Sequence, residues 1–179
     1  MTIYLIRHGA TAANQQHLYC GSTDLPLSPE GLAELKKLSY PVGTCRFLTS
    51  GMLRTEQTLR ALFGNVPHEI EPGFREIDFG IFEMKSYEQL KEDPDYQTWL
   101  SGDNPANTPP GGESGNAMTQ RALRAFQAIS QDTVVITHGG VIAAIMGSLF
   151  PMEGKNRYQW QPKPGHGYKI TGNTYISIP

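Results

Sequence analysis

Short continuous apolar runs alternate with helical repeats of apolar residues along this chain. Residues 3–6 (IYLI) and 133–137 (TVVIT) are rich in β-forming residues, which is typical of strands buried on both faces of a sheet. Between them, leucines recur at helical spacing after Ser28 and Pro29, which suit the N-cap and the first position of a helix. This alternation predicts an α/β fold: a three-layer α/β/α sandwich with a mostly parallel central sheet, in one domain over residues 1–179.

The remaining elements follow from the same two periods and from glycine and proline. Residues 10–27 and 102–115 are rich in turn-forming residues and predict loops. The predicted strands are residues 46–50, a short segment near residues 69–71, and a terminal hairpin or pair of edge strands over residues 167–179. The first predicted helix carries Leu32, Leu35 and Leu38, and the next runs from Met52 to Gly64. Two short helices, separated at Pro94, are predicted within residues 86–100. A later helix carries Met118, Ala122, Ala125, Phe126 and Ile129 on one face, and the last one ends at Met146.

Composition excludes some classes of function. The chain has 179 residues, a formal net charge of -2 and 18% charged residues, so no general basic field is present to bind nucleic acid or an anionic membrane. Two cysteines, Cys20 and Cys45, form no disulfide framework and indicate free thiols in a reducing cytoplasm. No signal-peptide pattern opens the chain, and the apolar run over residues 141–150 is too short to span a bilayer. A homodimer is left open.

Two of the apolar runs end in similar polar sequences. Arg7, His8 and a glycine follow the first run, and His138 with two glycines follows the second. Ligands of open α/β sheets bind beyond the carboxyl ends of the strands, so both histidines are expected at one crevice. A single histidine at a strand end is more often structural, but two of them beside an arginine favour a site for an anionic ligand.

Arg54 adds a second cation to this expected site. A positive charge in the first turn of a helix costs about 0.3–1 kcal/mol unless an anion lies nearby. The alternative is a solvated arginine, which is the default expectation for Arg60 in the same helix. Two arginines suit a phosphoryl group, because the guanidinium fork binds phosphate oxygens in pairs. Nearby arginines also lower the pKa of an imidazole, which then can attack phosphorus without a metal ion or other cofactor.

Five motifs resemble those of the histidine phosphatase superfamily, which includes cofactor-dependent phosphoglycerate mutases and many small phosphatases. They are RHG with Thr11 and Asn14, the helix-opening Arg54, FREIDFG, PGGES, and THGG after a strand. They occur in the family's order over almost the whole chain. The sequence departs from the family at Met84, where a glycine commonly follows an aromatic–Glu pair, and at Ala143, where arginine is frequent.

The resemblance implies a role for each matching residue. His8 is implied to be the nucleophile that forms a phosphohistidine, and Glu76 the proton donor to the leaving group. The phosphoryl group is implied to bind to Arg7, Arg54 and His138, with help from Asn14 and the amide of Gly139. A phosphate dianion beside a carboxyl group favours its protonated form, which supports a carboxyl as the donor. The residues alone do not separate Glu76 from the other carboxylates in this part of the chain, which are Glu71, Asp78, Glu83 and Glu113.

The reaction and the substrate remain to be distinguished. A mutase shields its phosphohistidine with a covering segment rich in cations. Residues 82–111 are short and contain more acidic than basic side chains, so phosphatase is favoured over mutase. A phospho-ligand binding module without turnover is disfavoured because His8, Arg54, Glu76 and His138 are all present. The loop YCGSTDLPLSPEG and its spacing to PPGGES look most like α-ribazole phosphatases. Trp99, Tyr158 and Trp160 are either stacking partners for a ring or core residues.

Overall fold

Six strands form one mixed sheet in the computed structural model, which describes residues 1–179. The strands are β1 (Thr2–Arg7), β2 (Arg46–Thr49), β3 (Glu69–Ile70), β4 (Thr133–Thr137), β5 (Gly167–Thr171) and β6 (Thr174–Ile178). Their order is β3-β2-β4-β1-β5-β6. The first four strands in this order are parallel, whereas β5 pairs antiparallel with β1, and β6 antiparallel with β5.

Eight α-helices surround the sheet. They are α1 (Ala12–Gln15), α2 (Pro29–Leu35), α3 (Leu53–Phe63), α4 (Tyr87–Leu90), α5 (Pro94–Leu100), α6 (Gly115–Gln127), α7 (Gly139–Leu149) and α8 (Arg157–Trp160). Four short 3₁₀ turns lie at Pro72–Phe74, Gly80–Phe82, Asn104–Ala106 and Pro151–Glu153. None of the helices combines the length and the apolar character needed to cross a bilayer.

Both faces of the sheet are buried, as the continuous apolar runs predict. Leu5 and Val135 pack with buried residues of α6 and α7 in the larger core cluster. Ile6 and Val134 lie in a second cluster with Leu59 of α3, on the opposite face. Because successive side chains of a strand point to opposite faces, each central strand contributes to both clusters. The predicted three-layer α/β/α sandwich with a mostly parallel sheet is confirmed.

Several helix boundaries follow the predicted local chemistry. The hydroxyl of Ser28 accepts a hydrogen bond from the N–H of Gly31 at 3.0 Å, and Pro29 is the first residue of α2. Gly64 ends α3 with a φ of 77°, a conformation that favours glycine. Pro94 begins α5 and separates it from α4, because a proline ring cannot continue the preceding helix.

Other boundaries differ from the prediction. A four-residue helix, α1, lies within the predicted loop of residues 10–27, and Thr11 caps it. Helix α2 ends at Leu35, so Leu38 lies outside it. The predicted loop over residues 102–115 contains a 3₁₀ turn, and its last residue already belongs to α6. These elements depend on polar side chains and short turns, so no repeating pattern of apolar residues marks them in the sequence.

The register of the central strands brings their carboxyl ends to one level. Arg7 of β1 lies opposite Thr137 of β4, and Thr49 of β2 lies opposite Ile136. The N–H of His8 donates to the carbonyl of Thr137 at 2.9 Å. The residues that follow β1, β2 and β4 therefore leave the sheet side by side at one edge.

Candidate active site

The two histidines expected at one crevice lie next to each other. The ring centroids of His8 and His138 are 5.1 Å apart, and the rings meet edge to face. Both side chains are buried, with 5% of His8 and none of His138 exposed. His8 lines a cavity of about 510 Å³, whereas His138 and Arg54 are buried and do not line it.

The hydrogen bonds of His8 fix its tautomer. Its Nδ1 lies 2.7 Å from the carbonyl oxygen of Gly9. A carbonyl oxygen only accepts, so Nδ1 carries the proton and a neutral ring leaves Nε2 unprotonated. Burial lowers the pKa of His8 well below its ordinary value, and the charges of Arg54 and Arg7 lower it further. The imidazole is therefore neutral at physiological pH, with a free lone pair on Nε2.

His138 carries its proton on the other nitrogen. The Nε–H of Arg54 donates to its Nδ1 at 3.2 Å, so the proton lies on Nε2, which donates to the hydroxyl of Ser50 at 2.9 Å. The chain of hydrogen bonds continues from Ser50 to the hydroxyl of Thr55, which donates to the carbonyl of Met52. Burial, followed by the charge of Arg54, lowers the pKa of His138 well below its ordinary value.

Arg54 is buried, with 1% of its surface exposed, whereas Arg60 in the same helix is exposed. Besides its bond to His138, it donates to the carbonyls of Gly21 at 2.7 Å and Thr23 at 2.9 Å. These contacts use three of the five N–H groups of a guanidinium, so two remain. The alternative of a solvated arginine is wrong for Arg54.

Arg7 has a buried N–H without a partner. One terminal nitrogen donates to the carbonyl of Pro162 at 2.8 Å, but Nε makes no hydrogen bond. Burial lowers the pKa of Arg7, and the charge of Glu76 opposes this shift. A Cβ at Gly139 would lie 3.1 Å from Nε and Cζ of Arg7, so a side chain at this position would crowd the guanidinium. An unpaired buried donor costs about 1–3 kcal/mol, which a bound anion would offset.

Glu76 faces the same cavity from a loop after the Pro72–Phe74 turn. Its two carboxylate oxygens accept hydrogen bonds from the N–H of Ile77 at 3.1 Å and of Gly140 at 3.0 Å. A Cβ at Gly140 would lie 2.5 Å from the carboxylate, so only glycine allows this contact. The second glycine of the THGG motif therefore holds Glu76 beside the first turn of α7.

Asn14 is oriented by the capping box of α1. Its Oδ1 accepts hydrogen bonds from the backbone N–H of Thr11 at 2.9 Å and from the hydroxyl of Thr11 at 3.0 Å. Because the oxygen is engaged there, the amide nitrogen is directed away from Thr11, and Asn14 lines the cavity. The capping threonine thus converts a helix end into a support for a cavity residue.

The other candidate carboxylates do not line this cavity. Glu71 caps the 3₁₀ turn at Gly73, and Asp78 accepts from the hydroxyl of Ser22 at 3.0 Å. Glu83 accepts from the backbone of Gly21, Ser22, Thr23 and Phe79. Glu113 pairs with Arg121 at 2.7 Å. The structure therefore brings only Glu76 of these five carboxylates to the cavity beside His8.

Aromatic side chains form part of the wall of the same cavity. Trp99 and Tyr158 line it, and Trp99 also belongs to a small buried cluster, whereas Trp160 is 1% exposed and belongs wholly to the core. The cavity is lined by further residues that the sequence alone did not indicate: Tyr19, Phe79, Tyr87, Asn104, Arg157 and Gln161. Phe79 belongs to the FREIDFG motif, which is a signal for its position, whereas the others come from separate loops and short helices.

Comparisons with known proteins agree with this arrangement along nearly the whole chain. The sequence model of the Histidine phosphatase superfamily (branch 1) matches residues 3–173. The chain is 29% identical over 177 residues to an adenosylcobalamin/alpha-ribazole phosphatase of Escherichia coli K12, covering 92% of this chain and 87% of the relative. It is 24% identical over 160 residues to a probable phosphoglycerate mutase of Cronobacter sakazakii, covering 83% of this chain and 74% of the relative.

Solved structures show the same fold. A crystal structure of phosphoglycerate mutase from Thermus thermophilus has a TM-score of 0.81 and 30% identity, covering 100% of this chain and 99% of that one. A crystal structure of a candidate alpha-ribazole-5'-P phosphatase from Escherichia coli K-12 has a TM-score of 0.85 and 27% identity, covering 99% of this chain and 94% of that one.

Proposed function

This chain belongs to the histidine phosphatase superfamily and is an enzyme that acts as a phosphatase; we propose that it hydrolyses small phosphate monoesters through a phosphohistidine on His8. One observation carries the proposal. The Gly9 carbonyl holds the ring proton on Nδ1, and burial beside two arginines keeps the ring neutral, so Nε2 is a nucleophile at the cavity surface.

In the first step, the lone pair of Nε2 attacks phosphorus and the ester P–O bond breaks. The leaving oxygen takes a proton from the carboxyl group of Glu76, which lines the same cavity as His8. The Nδ1 proton of His8 stays hydrogen-bonded to the Gly9 carbonyl, which stabilises the positive ring of the phosphohistidine.

In the second step, a water oxygen attacks the phosphohistidine and gives a proton to the Glu76 carboxylate. The P–N bond breaks, its electron pair returns to Nε2, and inorganic phosphate leaves. The site thus returns to the protonation state of the substrate complex, in which Glu76 holds the proton that it donates and His8 is neutral.

We assign the phosphoryl oxygens to donors that lack a partner in the free site. These are Nε of Arg7, the two remaining N–H groups of Arg54, the amide nitrogen of Asn14, and the N–H of Gly139 in the first turn of α7. Both nitrogens of His138 are already paired, so its contact with the phosphoryl group requires the exchange of one of these bonds.

The cavity wall supports an organic group that contains a ring. Tyr19, Phe79, Trp99 and Tyr158 offer aromatic faces within the same 510 Å³ cavity as His8. Because a relative in Escherichia coli is named adenosylcobalamin/alpha-ribazole phosphatase, we propose α-ribazole 5′-phosphate as the first substrate to test. The cytoplasm is the proposed location, since Cys20 and Cys45 are both free thiols. A monomer acting on a small molecule is sufficient for this chemistry, and a homodimer remains open.

A substrate screen with a trapped intermediate tests this proposal. The wild-type enzyme is mixed with α-ribazole 5′-phosphate, sugar phosphates and phosphoglycerates, and free phosphate is measured. Acid-labile, base-stable phosphate on the protein is expected in quenched samples and should be absent in His8→Ala. Isomerised phosphoglycerate without free phosphate would instead establish a mutase. Binding of phosphate without any turnover would identify a binding module.

A further inference from the structure

Arg121 on α6 does not line the cavity, yet three of its five N–H groups donate to the loop that carries Glu76. Its side chain donates to the carbonyls of Gly73 at 3.0 Å, Arg75 at 2.6 Å and Glu76 at 3.1 Å. Its remaining N–H groups donate to both carboxylate oxygens of Glu113, at 2.8 and 2.7 Å. All five N–H groups of the guanidinium are therefore used.

Glu113 fixes the direction of this guanidinium. It immediately precedes Ser114, the N-cap of α6, and Arg121 lies two turns farther along the same helix. Their side chains are only 22% and 24% exposed, so the paired contact is partly shielded from water. The ion pair joins the start of α6 to the loop that carries Glu76.

The loop has other attachments, such as the bond from Nε of Arg75 to the carbonyl of Ser50 at 3.3 Å, but only Arg121 binds the carbonyls of Gly73, Arg75 and Glu76. Phe74 is buried and its carbonyl accepts from the hydroxyl of Thr137 at 2.8 Å, which anchors the end of the 3₁₀ turn. Arg75 is exposed, and the carbonyls of Arg75 and Glu76 belong to no helix or strand. Without Arg121, the backbone just before the Glu76 carboxyl group would lose three hydrogen bonds.

We propose that Glu113 and Arg121 form a positioning pair that holds the backbone of Glu76 so that its carboxyl group reaches the leaving oxygen. This inference rests on the proposed function, in which Glu76 is the proton donor. A general acid acts only within hydrogen-bond reach, and a displacement near 1 Å costs about 10²-fold in rate. Glu113, which sequence reasoning leaves as an alternative acid, thus acts through Arg121.

A purely structural ion pair would affect all substrates alike, so leaving-group dependence separates the two roles. An alkoxide needs a proton as it departs, whereas nitrophenolate leaves without one. Arg121→Met is therefore expected to slow phosphoenzyme formation by roughly 10-fold or more with an alkyl ester, and by less than about 3-fold with nitrophenyl phosphate. Inhibition by inorganic phosphate should stay unchanged, because His8 and the phosphate donors remain in place.

The experiment measures single-turnover phosphoenzyme formation with the alkyl ester turned over fastest in the screen and with nitrophenyl phosphate. The matched control is Arg124→Met, since Arg124 lies on the same helix, is exposed and contacts only the carbonyl of Gln120. Glu113→Gln serves as a milder variant that keeps the guanidinium, and urea unfolding verifies that each variant is folded. In a Glu76→Gln background, Arg121→Met should cause no additional leaving-group selective loss.

The outcomes distinguish the positioning role of Glu113 and Arg121 from the acid role of Glu76. A selective loss in Glu76→Gln, Arg121→Met and Glu113→Gln, but not in Arg124→Met, supports the positioning pair. Selectivity in Glu76→Gln combined with equal or absent effects in both Arg121→Met and Glu113→Gln overturns the pair and leaves the proposed function intact. Equal losses with both esters in Glu76→Gln overturn the acid role of Glu76, and the positioning pair with it.

Discussion

At the scale of single residues, the decisive feature is that two arginine side chains are buried at a site where an anionic ligand, and not an uncharged one, would stabilise them. Arg54 is 1% exposed in the first turn of α3, where a cation opposes the helix dipole. Arg7 holds an unpaired N–H at the same site. A bound phosphoryl group would satisfy both, so substrate binding completes contacts that folding leaves unfinished.

We expect Arg54→Lys to reduce kcat/KM by about 10²-fold or more, because lysine lacks the paired fork and cannot replace its bonds to Gly21, Thr23 and His138. The measurement compares steady-state rates and inhibition by vanadate. Arg60→Lys in the same helix is the control and should keep wild-type activity, since Arg60 is exposed. Equal activity of the two variants would remove Arg54 from the site.

The backbone conformation of Met84 destabilises the fold, and the glycine that the family commonly has at this position would adopt it without strain. Its φ is 60°, in the left-handed region, at the position where the family commonly has glycine. Met84→Gly should stabilise the protein by about 0.5–1 kcal/mol, after subtraction of the greater backbone entropy of glycine in the unfolded chain. A higher urea midpoint with an unchanged m-value would show this. Met152→Gly, at a 97% exposed methionine without positive φ, should give no gain.

At the scale of elements, all three four-residue helices, α1, α4 and α8, begin with a capping box. The boxes of α1 and α4 are formed by Thr11 with Asn14 and by Ser86 with Gln89. Only the box of α1 ends in a residue assigned to the phosphoryl group. Helices this short are unstable alone, so the capping side chains determine whether they form.

Substitutions of the capping residues of α1 and α4 therefore make a matched pair of variants. Thr11→Ala and Ser86→Ala should each destabilise the fold by about 1 kcal/mol through loss of the cap. Thr11→Ala should also weaken inhibition by inorganic phosphate several-fold, because the Asn14 amide loses its orientation, whereas Ser86→Ala should not. Stability is measured by urea unfolding and inhibition by phosphate titration. If neither variant alters phosphate inhibition, Asn14 does not bind the phosphoryl group.

At the scale of the whole molecule, signals carried by neighbouring residues could be predicted and contacts between distant segments could not. The strand exits at His8 and His138, the cap at Ser28 and the stop at Gly64 are local patterns, and the structure confirms them. The carbonyls of Gly21 and Thr23 hold Arg54, and because every residue has a carbonyl, the sequence gives no sign of these bonds. The aromatic wall likewise joins segments that are remote in sequence, from Tyr19 to Tyr158.

The stability of the whole protein should fall as the pH drops below about 6.5, the ordinary histidine pKa. The folded-state pKa values of His8 and His138 are lowered, so the unfolded chain binds more protons in this range, and acid favours unfolding. Each histidine contributes up to about 1.4 kcal/mol per pH unit. Urea unfolding between about pH 5 and about pH 7.5, a range around that value, measures the slope. His138→Asn should flatten this slope.

Activity should not depend on a bound metal ion, because arginine side chains supply the positive charge around the phosphoryl group. Pre-incubation with a chelator should leave the initial rate with nitrophenyl phosphate unchanged. A rate that collapses on chelation and returns with magnesium contradicts the mechanism.

Single substitutions at neighbouring residues affect the two histidines of the site differently. His8, the proposed nucleophile, owes its tautomer to the carbonyl of Gly9, a group that every amino acid possesses. No single substitution can delete that acceptor, so the reactive lone pair is inherited together with the histidine itself. The orientation of His138 depends instead on the side chains of Arg54 and Ser50, which one codon change can remove. A lineage that drifts from this sequence can thus lose the proposed phosphate contact of His138 while it keeps the proposed nucleophile.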